Sequence, residues 1–291
     1  MQPPFPSPVL TWHNDTYAAI SPLRAELSSA GKTVIITGAG SGIGRETATA
    51  FAVAGAKRLV LIGRTDSTLA QAKDSLQASS KSTTCLTFRA DVTDDKAMHQ
   101  IAAEVGTWDI FILNAGHLPN PASIVSANLS DYWTTYETNV KSVIIAAATF
   151  FPTANKTHAT MLGVTAGALV FPPASTPGLS AYLTSKMAMV KTLEFLAMEN
   201  PSVFVASVHP GMVDTGLFRK SGAKPEMMPM DSATLSAHFI LWLSSPEAAF
   251  LRGRLVWANW DVEELKAVGS KIREGSQMTI GVEGWPFVNT T

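Results

Sequence analysis

The sequence predicts an α/β protein built on one doubly wound parallel sheet of seven strands. Three observations carry that expectation. Seven short runs are almost continuously apolar and rich in β-branched residues, alanine-rich stretches of helical character separate them, and a glycine turn joins the first run to the first helix. Unbroken apolar runs, as opposed to alternating ones, suit strands covered on both faces. Strands that alternate with helices along the chain suit a parallel sheet wound in both directions.

In chain order the strand runs are "TVIIT" (33–37), "RLVLIG" (58–63), "TCLTF" (84–88), "DIFIL" (109–113), "ATMLGVT" (159–165), "VFVASV" (203–208) and "RLVWAN" (254–259). Helices are expected over 43–54, 67–79, 94–105, 130–151, 180–199 and 232–245. Residues 1–31 begin proline-rich and continue "TWHNDTYAAISP", an irregular arm expected to pack on the core. The domain proper runs over 32–260. Within it, 215–230 is rich in Gly, Pro and Met and reads as a lid-like insertion over the substrate, where Met212, Met227, Met228 and Met230 suit an adaptable apolar lining or ordinary packing. Residues 261–291 add a short helix, "DVEELKAVGSKI", and the tail "VEGWPFVNTT", whose tryptophan and phenylalanine would pack on the body or on a neighbouring subunit.

Composition excludes several classes. A net charge of -1 gives no reason to expect nucleic acid or an acidic membrane surface as partner. The single cysteine, Cys85, rules out an internal disulfide, and the histidines lack metal-ligand spacing, so no metal is expected. The N-terminus has no basic region followed by an apolar stretch, and the longest apolar run, Val143 to Phe151, is about half the roughly 20 residues a spanning helix needs. A soluble protein of the reducing cytoplasm is expected.

Chemistry enters with "TVIITGAGSGIGRETATAFA", a buried strand, a glycine turn and a helix in succession. Gly38, Gly42 and Gly44 stand where the backbone must turn tightly and approach a ligand, and Ile43–Gly44 opens the helix. Free N–H groups and the positive end of the helix dipole make a seat for a pyrophosphate there. Further along, "AYLTSKMAMVK" sets Tyr182 and Lys186 about one helical turn apart, on one face. An unperturbed tyrosine, with a pKa near 10, is a weak acid at neutrality, and a neighbouring ammonium favours its phenolate.

The T-G-x-x-x-G-x-G spacing, "ADV" (90–92), "LNAG" (113–116), "TNV" around Asn139, Y-x-x-x-K and "HPGMVDT" (209–215) occur in one order. That order resembles the short-chain dehydrogenase/reductase family over about Lys32 to Asp261, and the arm and "ANWDVEELKA" further resemble its members from fungal secondary-metabolite pathways. The resemblance implies a Rossmann-type fold and a nicotinamide cofactor. It implies adenine contacts at Asp91 and Val92, and a cofactor wall from Asn114, Ala115 and Gly116, with Leu113 in place of the motif's first asparagine. It makes Asn139 the anchor of a proton-relay water, Lys186 a ligand of the nicotinamide ribose, and Val213 and Thr215 the seat of the nicotinamide. It also implies that the hydrophobic helices at 130–151 and 180–199 pair subunits into a homodimer or homotetramer.

Cofactor choice follows from the end of the second strand, where an acid would bond the ribose hydroxyls and repel a 2′-phosphate. Gly63 stands there, followed by Arg64, whose guanidinium suits a phosphate, and Ser41 offers a hydroxyl. Asp66 nearby argues the other way. NADP(H) is expected ahead of NAD(H).

One element departs from the family pattern. The serine that usually ends the fifth strand, thirteen residues before the tyrosine, is missing, since Leu169 stands at that count. Aligned by the strand's end, the position falls on Thr165, which keeps a hydroxyl, or on Ala166, which removes a transition-state donor. Ser175 and Ser180 stand in or near the following loop. His117 and His209 are near enough in sequence to reach a cofactor but read as loop hydrogen-bonders. The expected function is NADPH-dependent carbonyl reduction or the reverse alcohol oxidation of a small molecule. Tyr182 is the acid/base, Lys186 its tuner, Asn139 the relay anchor and Thr165 the substrate-oxygen donor. Two alternatives follow from the missing serine: a redox-neutral isomerase, dehydratase or cyclase, and a non-catalytic cofactor-binding protein.

Overall fold

A computed structural model describes residues 1–80, 82–227 and 229–282. Seven parallel strands form one sheet: β1 (Thr33–Thr37), β2 (Arg58–Gly63), β3 (Thr84–Arg89), β4 (Ile110–Leu113), β5 (Ala159–Val164), β6 (Val203–His209) and β7 (Leu255–Trp257). Their order is β3-β2-β1-β4-β5-β6-β7. The chain leaves β1 for β2 on one side and returns to β4 on the other, so the loops after β1 and β4 diverge and open a crevice at their carboxyl ends.

Strand periodicity sorts the core into two layers. Val34 and Ile36 of β1 face α1 (Gly42–Val53), α2 (Asp66–Ser79) and α8 (Ala233–Leu243), whereas Ile35 faces α3 (Asp95–Val105), α5 (Ser142–Phe150) and α6 (Ser180–Glu199). Continuous hydrophobicity in the strands is the requirement of that double coverage: all five β1 residues are buried. On the second layer Trp108 is fully buried and its indole N–H donates to the Phe150 carbonyl at 2.7 Å, which satisfies the one polar atom the ring carries inside.

The helix expected over 130–151 is interrupted. α4 (Leu129–Tyr136), entered through an Asn128 cap on the Asp131 amide, passes through a π turn at Glu137–Lys141 into α5. The π turn inserts a residue into the 3.6 repeat, and Asn139 within it is 1% exposed. Past β6 come the short α7 (Gly216–Lys220) and a 3₁₀ turn at Pro225–Met227. The single C-terminal helix expected from "DVEELKAVGSKI" is two, α9 (Val262–Ala267) and α10 (Gly269–Glu274). They part at Val268, and a side chain on Gly269 would press into the Phe250 ring. The tail aromatics Trp285 and Phe287, and Met228, lie outside the described residues.

Residues 1–31 lie along the first layer. Trp12 bridges Trp260, Tyr17 accepts from the Val262 amide at 3.0 Å, and Glu264 accepts from Leu10, Thr11 and the Thr11 hydroxyl. Phe5 reaches the loop before α6, with its ring 5.1 Å from that of Phe171.

Candidate active site

At the end of β1 the glycine turn folds as its spacing requires. Gly38 and Gly42 have φ of +66° and +51°, where a side chain is strained. Gly44 is needed for a different reason: a Cβ there would collide with the Gly38 carbonyl and the Asn114 amide, so the helix could not start this close to the strand. Ser41 enters α1 in an extended conformation with its side chain exposed and making no cap bond, and Ile43 follows half-buried. The leading amides of α1 are therefore uncapped and face the crevice mouth.

Thr37 ties this turn to the neighbouring strand. Its hydroxyl accepts from the Asn114 and Ala115 amides at 3.1 and 3.0 Å, and the Asn114 side chain donates to the Thr37 carbonyl at 2.9 Å and the Gly38 carbonyl at 3.2 Å. Asn114 is thus bound into the turn. Gly116 ends the segment beside two other expected residues: a Cβ on it would stand 3.5 Å from both Asn139 Oδ1 and Lys186 Nζ.

Asn139 is fully engaged. Its amide donates to the His117 carbonyl and the Ser185 hydroxyl, both at 2.9 Å, and its oxygen accepts from the His117 amide at 2.9 Å. Ser185, a residue the sequence reading did not single out, passes the connection on by donating to the Tyr182 carbonyl at 2.7 Å. A single chain of bonds joins the loop after β4, the π turn and the first turn of α6.

Lys186 reaches the centre of this group because Gly163 of β5 lets α6 lie close; a side chain at Gly163 would overlap Leu193 and Met189. The ammonium is 3% exposed, donates to the Val164 carbonyl at 2.7 Å and stands 6.0 Å from the centroid of the Tyr182 ring. Loss of water pushes its pKa down to about 8. Tyr182 is half-buried, its phenol makes no hydrogen bond among the described residues, and burial raises its pKa. At both groups burial acts toward the neutral form.

At the end of β5, Thr165 is 3% exposed and its hydroxyl has no partner, while Ala166 is half-buried. His117 is a hydrogen-bonder as expected, against Thr135 at 3.1 Å and Asp131 at 3.4 Å. His209 is not: its Nδ1 is unpaired and its ring packs edge-on against Trp257.

On the far side of the crevice Arg64 is exposed, with no hydrogen bond or ion pair among the described residues, while Asp66 faces Arg89 at 3.4 Å. The Asp91 carboxylate closes a turn on Thr93, with one oxygen accepting at 2.9 and 2.8 Å, and Val92 is buried beneath it. Val213 is buried, and Thr215 caps α7 and leans over the glycine turn, where a Cβ on Gly42 would lie 3.2 Å from its methyl. No cluster of metal-ligating side chains occurs among the described residues, and no described helix is long and apolar enough to cross a membrane.

A parallel sheet whose strand order switches sides after the glycine turn of β1, with a buried Lys beside a tyrosine whose phenol makes no hydrogen bond among the described residues, is the architecture of Rossmann-type oxidoreductases. This chain belongs to the short-chain dehydrogenase/reductase family: the family model described as short chain dehydrogenase matches residues 32–226. Among curated relatives, a short chain dehydrogenase/reductase of Claviceps purpurea is 35% identical over 95% of this chain and 94% of its own. The short chain dehydrogenase citE of Monascus ruber is 34% identical over 94% and 97%. Among solved structures, the oxidoreductase yciK from E. coli superposes with a TM-score of 0.73 at 20% identity, covering 81% of this chain and 97% of that one. The Pseudomonas aeruginosa RhlG/NADP complex gives 0.72 at 21%, covering 81% and 98%.

Proposed function

We propose that this oxidoreductase is an NADP(H)-dependent carbonyl reductase, or alcohol dehydrogenase in the reverse direction. The observation that carries the reading is the convergence of Lys186, Asn139 and Gly116 beside the Tyr182 ring, whose phenol makes no hydrogen bond among the described residues. The residues fit the cofactor. Gly38, Gly42 and Gly44 leave a cradle that side chains would fill, the amides opening α1 at Ser41, Gly42 and Ile43 suit a pyrophosphate, and Arg64 offers a free guanidinium to a 2′-phosphate. RhlG, whose fold is shared, was solved with NADP.

When bound, the nicotinamide supplies the hydride that reaches the carbonyl carbon. Tyr182, held protonated by its surroundings, donates its proton to the substrate oxygen as the alcohol forms. Thr165 offers the same oxygen a hydroxyl without a partner among the described residues, and Ala166 offers none. Lys186 holds the nicotinamide ribose, and the Asn139 turn anchors the water that returns a proton to Tyr182. Asp91 and Val92 would border the adenine, Asn114, Ala115 and Gly116 would wall the dinucleotide, and Val213 and Thr215 would seat the nicotinamide.

The full-length likeness to fungal relatives includes the arm, which the family model omits, and supports a small-molecule substrate from secondary metabolism. Exposed Leu129 and Trp133 on α4 and Phe195 and Met198 on α6 form the face through which we expect the subunits to pair as a homodimer or homotetramer. A cytoplasmic location follows from the same reading.

The test is Tyr182→Phe. It is expected to bind NADPH with the wild-type dissociation constant while carbonyl-dependent loss of absorbance at 340 nm falls at least a thousandfold. Turnover that survives the substitution, or a wild type that converts substrate without oxidising NADPH, overturns the reading.

A further inference from the structure

The segment that would seat the nicotinamide is held from outside its own domain region. Asp231, 8% exposed, accepts from the Met212 amide at 2.6 Å through Oδ2, and its own amide donates to the Met212 carbonyl at 2.9 Å. Gly211 makes this approach possible, since at its φ of +88° a Cβ would stand 2.6 Å from that carboxylate oxygen. The other oxygen, Oδ1, accepts from the Asn14 side chain at 2.5 Å, and the Asn14 carbonyl accepts from the Ser232 amide at 2.9 Å. Asn259 closes the group, bonding the Asp231 carboxylate and donating to the His13 carbonyl at 2.9 Å. Among the described residues this buried carboxylate is held by N–H donors alone, with no cation beside it, and one donor comes from the N-terminal arm. Both Asn14 and Asp231 lie outside the residues matched by the family model.

We propose that Asn14 and Asp231 are positioning residues for the nicotinamide half of the cofactor. The arm orients the Asp231 carboxylate, Asp231 fixes Met212 from both sides, and the adjacent Val213 is thereby set at the nicotinamide seat. The inference rests on the reading above, in which Val213 and Thr215 seat that ring. Its physical content is selective. Of the cofactor-facing segments the clamp bonds only the one after β6, at Met212, and among the described residues neither Asn14 nor Asp231 bonds Arg64, Asp91 or the glycine turn at the adenine end.

Asn14→Asp sets two buried carboxylates against each other, and the exchange Asn14→Asp with Asp231→Asn restores one amide and one acid in reversed places. The reduced dinucleotide that the wild type binds is titrated by its fluorescence, and ADP-ribose, which lacks the nicotinamide, by calorimetry. Asn14→Asp is expected to weaken the dinucleotide at least tenfold and ADP-ribose by less than twofold, and the exchange to return dinucleotide affinity to within threefold of wild type. Should Asn14→Asp fail to fold, Asn14→Ala is expected to show the same split at about threefold. Equal losses of both ligands, dinucleotide affinity within twofold of wild type in the single variant, or an exchange no better than that variant each overturn the clamp. A wild type that binds neither dinucleotide overturns the reading beneath it; a wild type that binds normally beside an unaffected variant overturns the clamp alone.

Discussion

Lys186 spends its short hydrogen bond on the Val164 carbonyl, at 2.7 Å, and not on the Tyr182 hydroxyl, although the ammonium stands 6.0 Å from the tyrosine ring. A cation kept dry and bonded to backbone is a costly group to fold around. That cost has a sign and a window.

Burial lowers the lysine from its ordinary 10.5 to about 8. The folded state therefore releases the proton more easily than the unfolded chain does, and stability rises with pH between about 8 and 10.5. Below 8 the full penalty applies, about 3 kcal/mol at 1.36 kcal/mol per unit of pKa, offset in part by the bond to Val164. Lys186→Met is expected to melt no lower than wild type at pH 7, with its relative advantage gone near pH 10, while turnover is lost. Thermal denaturation at the two pH values checks this.

Thr165 carries the only question that strand five leaves open. With its hydroxyl serving the substrate, Thr165→Val is expected to cut kcat roughly a hundredfold to a thousandfold, the range for one lost transition-state donor, with NADPH affinity unchanged. Steady-state kinetics on any accepted carbonyl decide it; a kcat within twofold of wild type would remove Thr165 from the chemistry.

Arg64 should discriminate between the two nicotinamides. A charge-assisted bond is worth about 1.5–3 kcal/mol, so Arg64→Ala is expected to weaken NADPH roughly ten- to a hundredfold and leave NADH nearly untouched. Parallel titrations read the ratio. An Asp66 still held by Arg89 would not replace it.

Trp133 is 59% exposed and Phe195 50%, on the helices we expect to pair subunits. Trp133→Glu with Phe195→Glu is expected to yield a monomer by analytical ultracentrifugation where the wild type sediments as a larger species. An unchanged sedimentation coefficient would move the interface elsewhere.

What the sequence discloses is what repeats locally. All seven strands are legible because each is a nearly unbroken apolar run, and the glycine turn is legible because Gly38 and Gly42 hold positive φ and Gly44 lies too close to β1 for a side chain. The π turn is not, since one inserted residue leaves the apolar pattern of 130–151 almost intact. Thr37 is legible as the threonine that opens the glycine motif, but Ser185 carries no such signal, because it joins Asn139 of the π turn to the Tyr182 carbonyl of its own helix. The protonation of the site is illegible in the sequence for a related reason. Spacing shows that Lys186 and Tyr182 are neighbours, whereas the dryness that governs both is a property of everything packed around them. Contacts such as Asn14 with Asp231 leave no trace in spacing at all.

That last contact imposes a delay on biosynthesis. Asn14 leaves the ribosome 217 residues before the aspartate it bonds, and at roughly 5–20 residues per second this is on the order of ten to forty seconds. Throughout that interval Val9, Trp12 and Ile20 have no finished layer to cover them, because α8 and the Trp257–Val262 stretch are still to come. Val9, Trp12 and Ile20 therefore reach full burial only after the last helices and strand of that layer have been made.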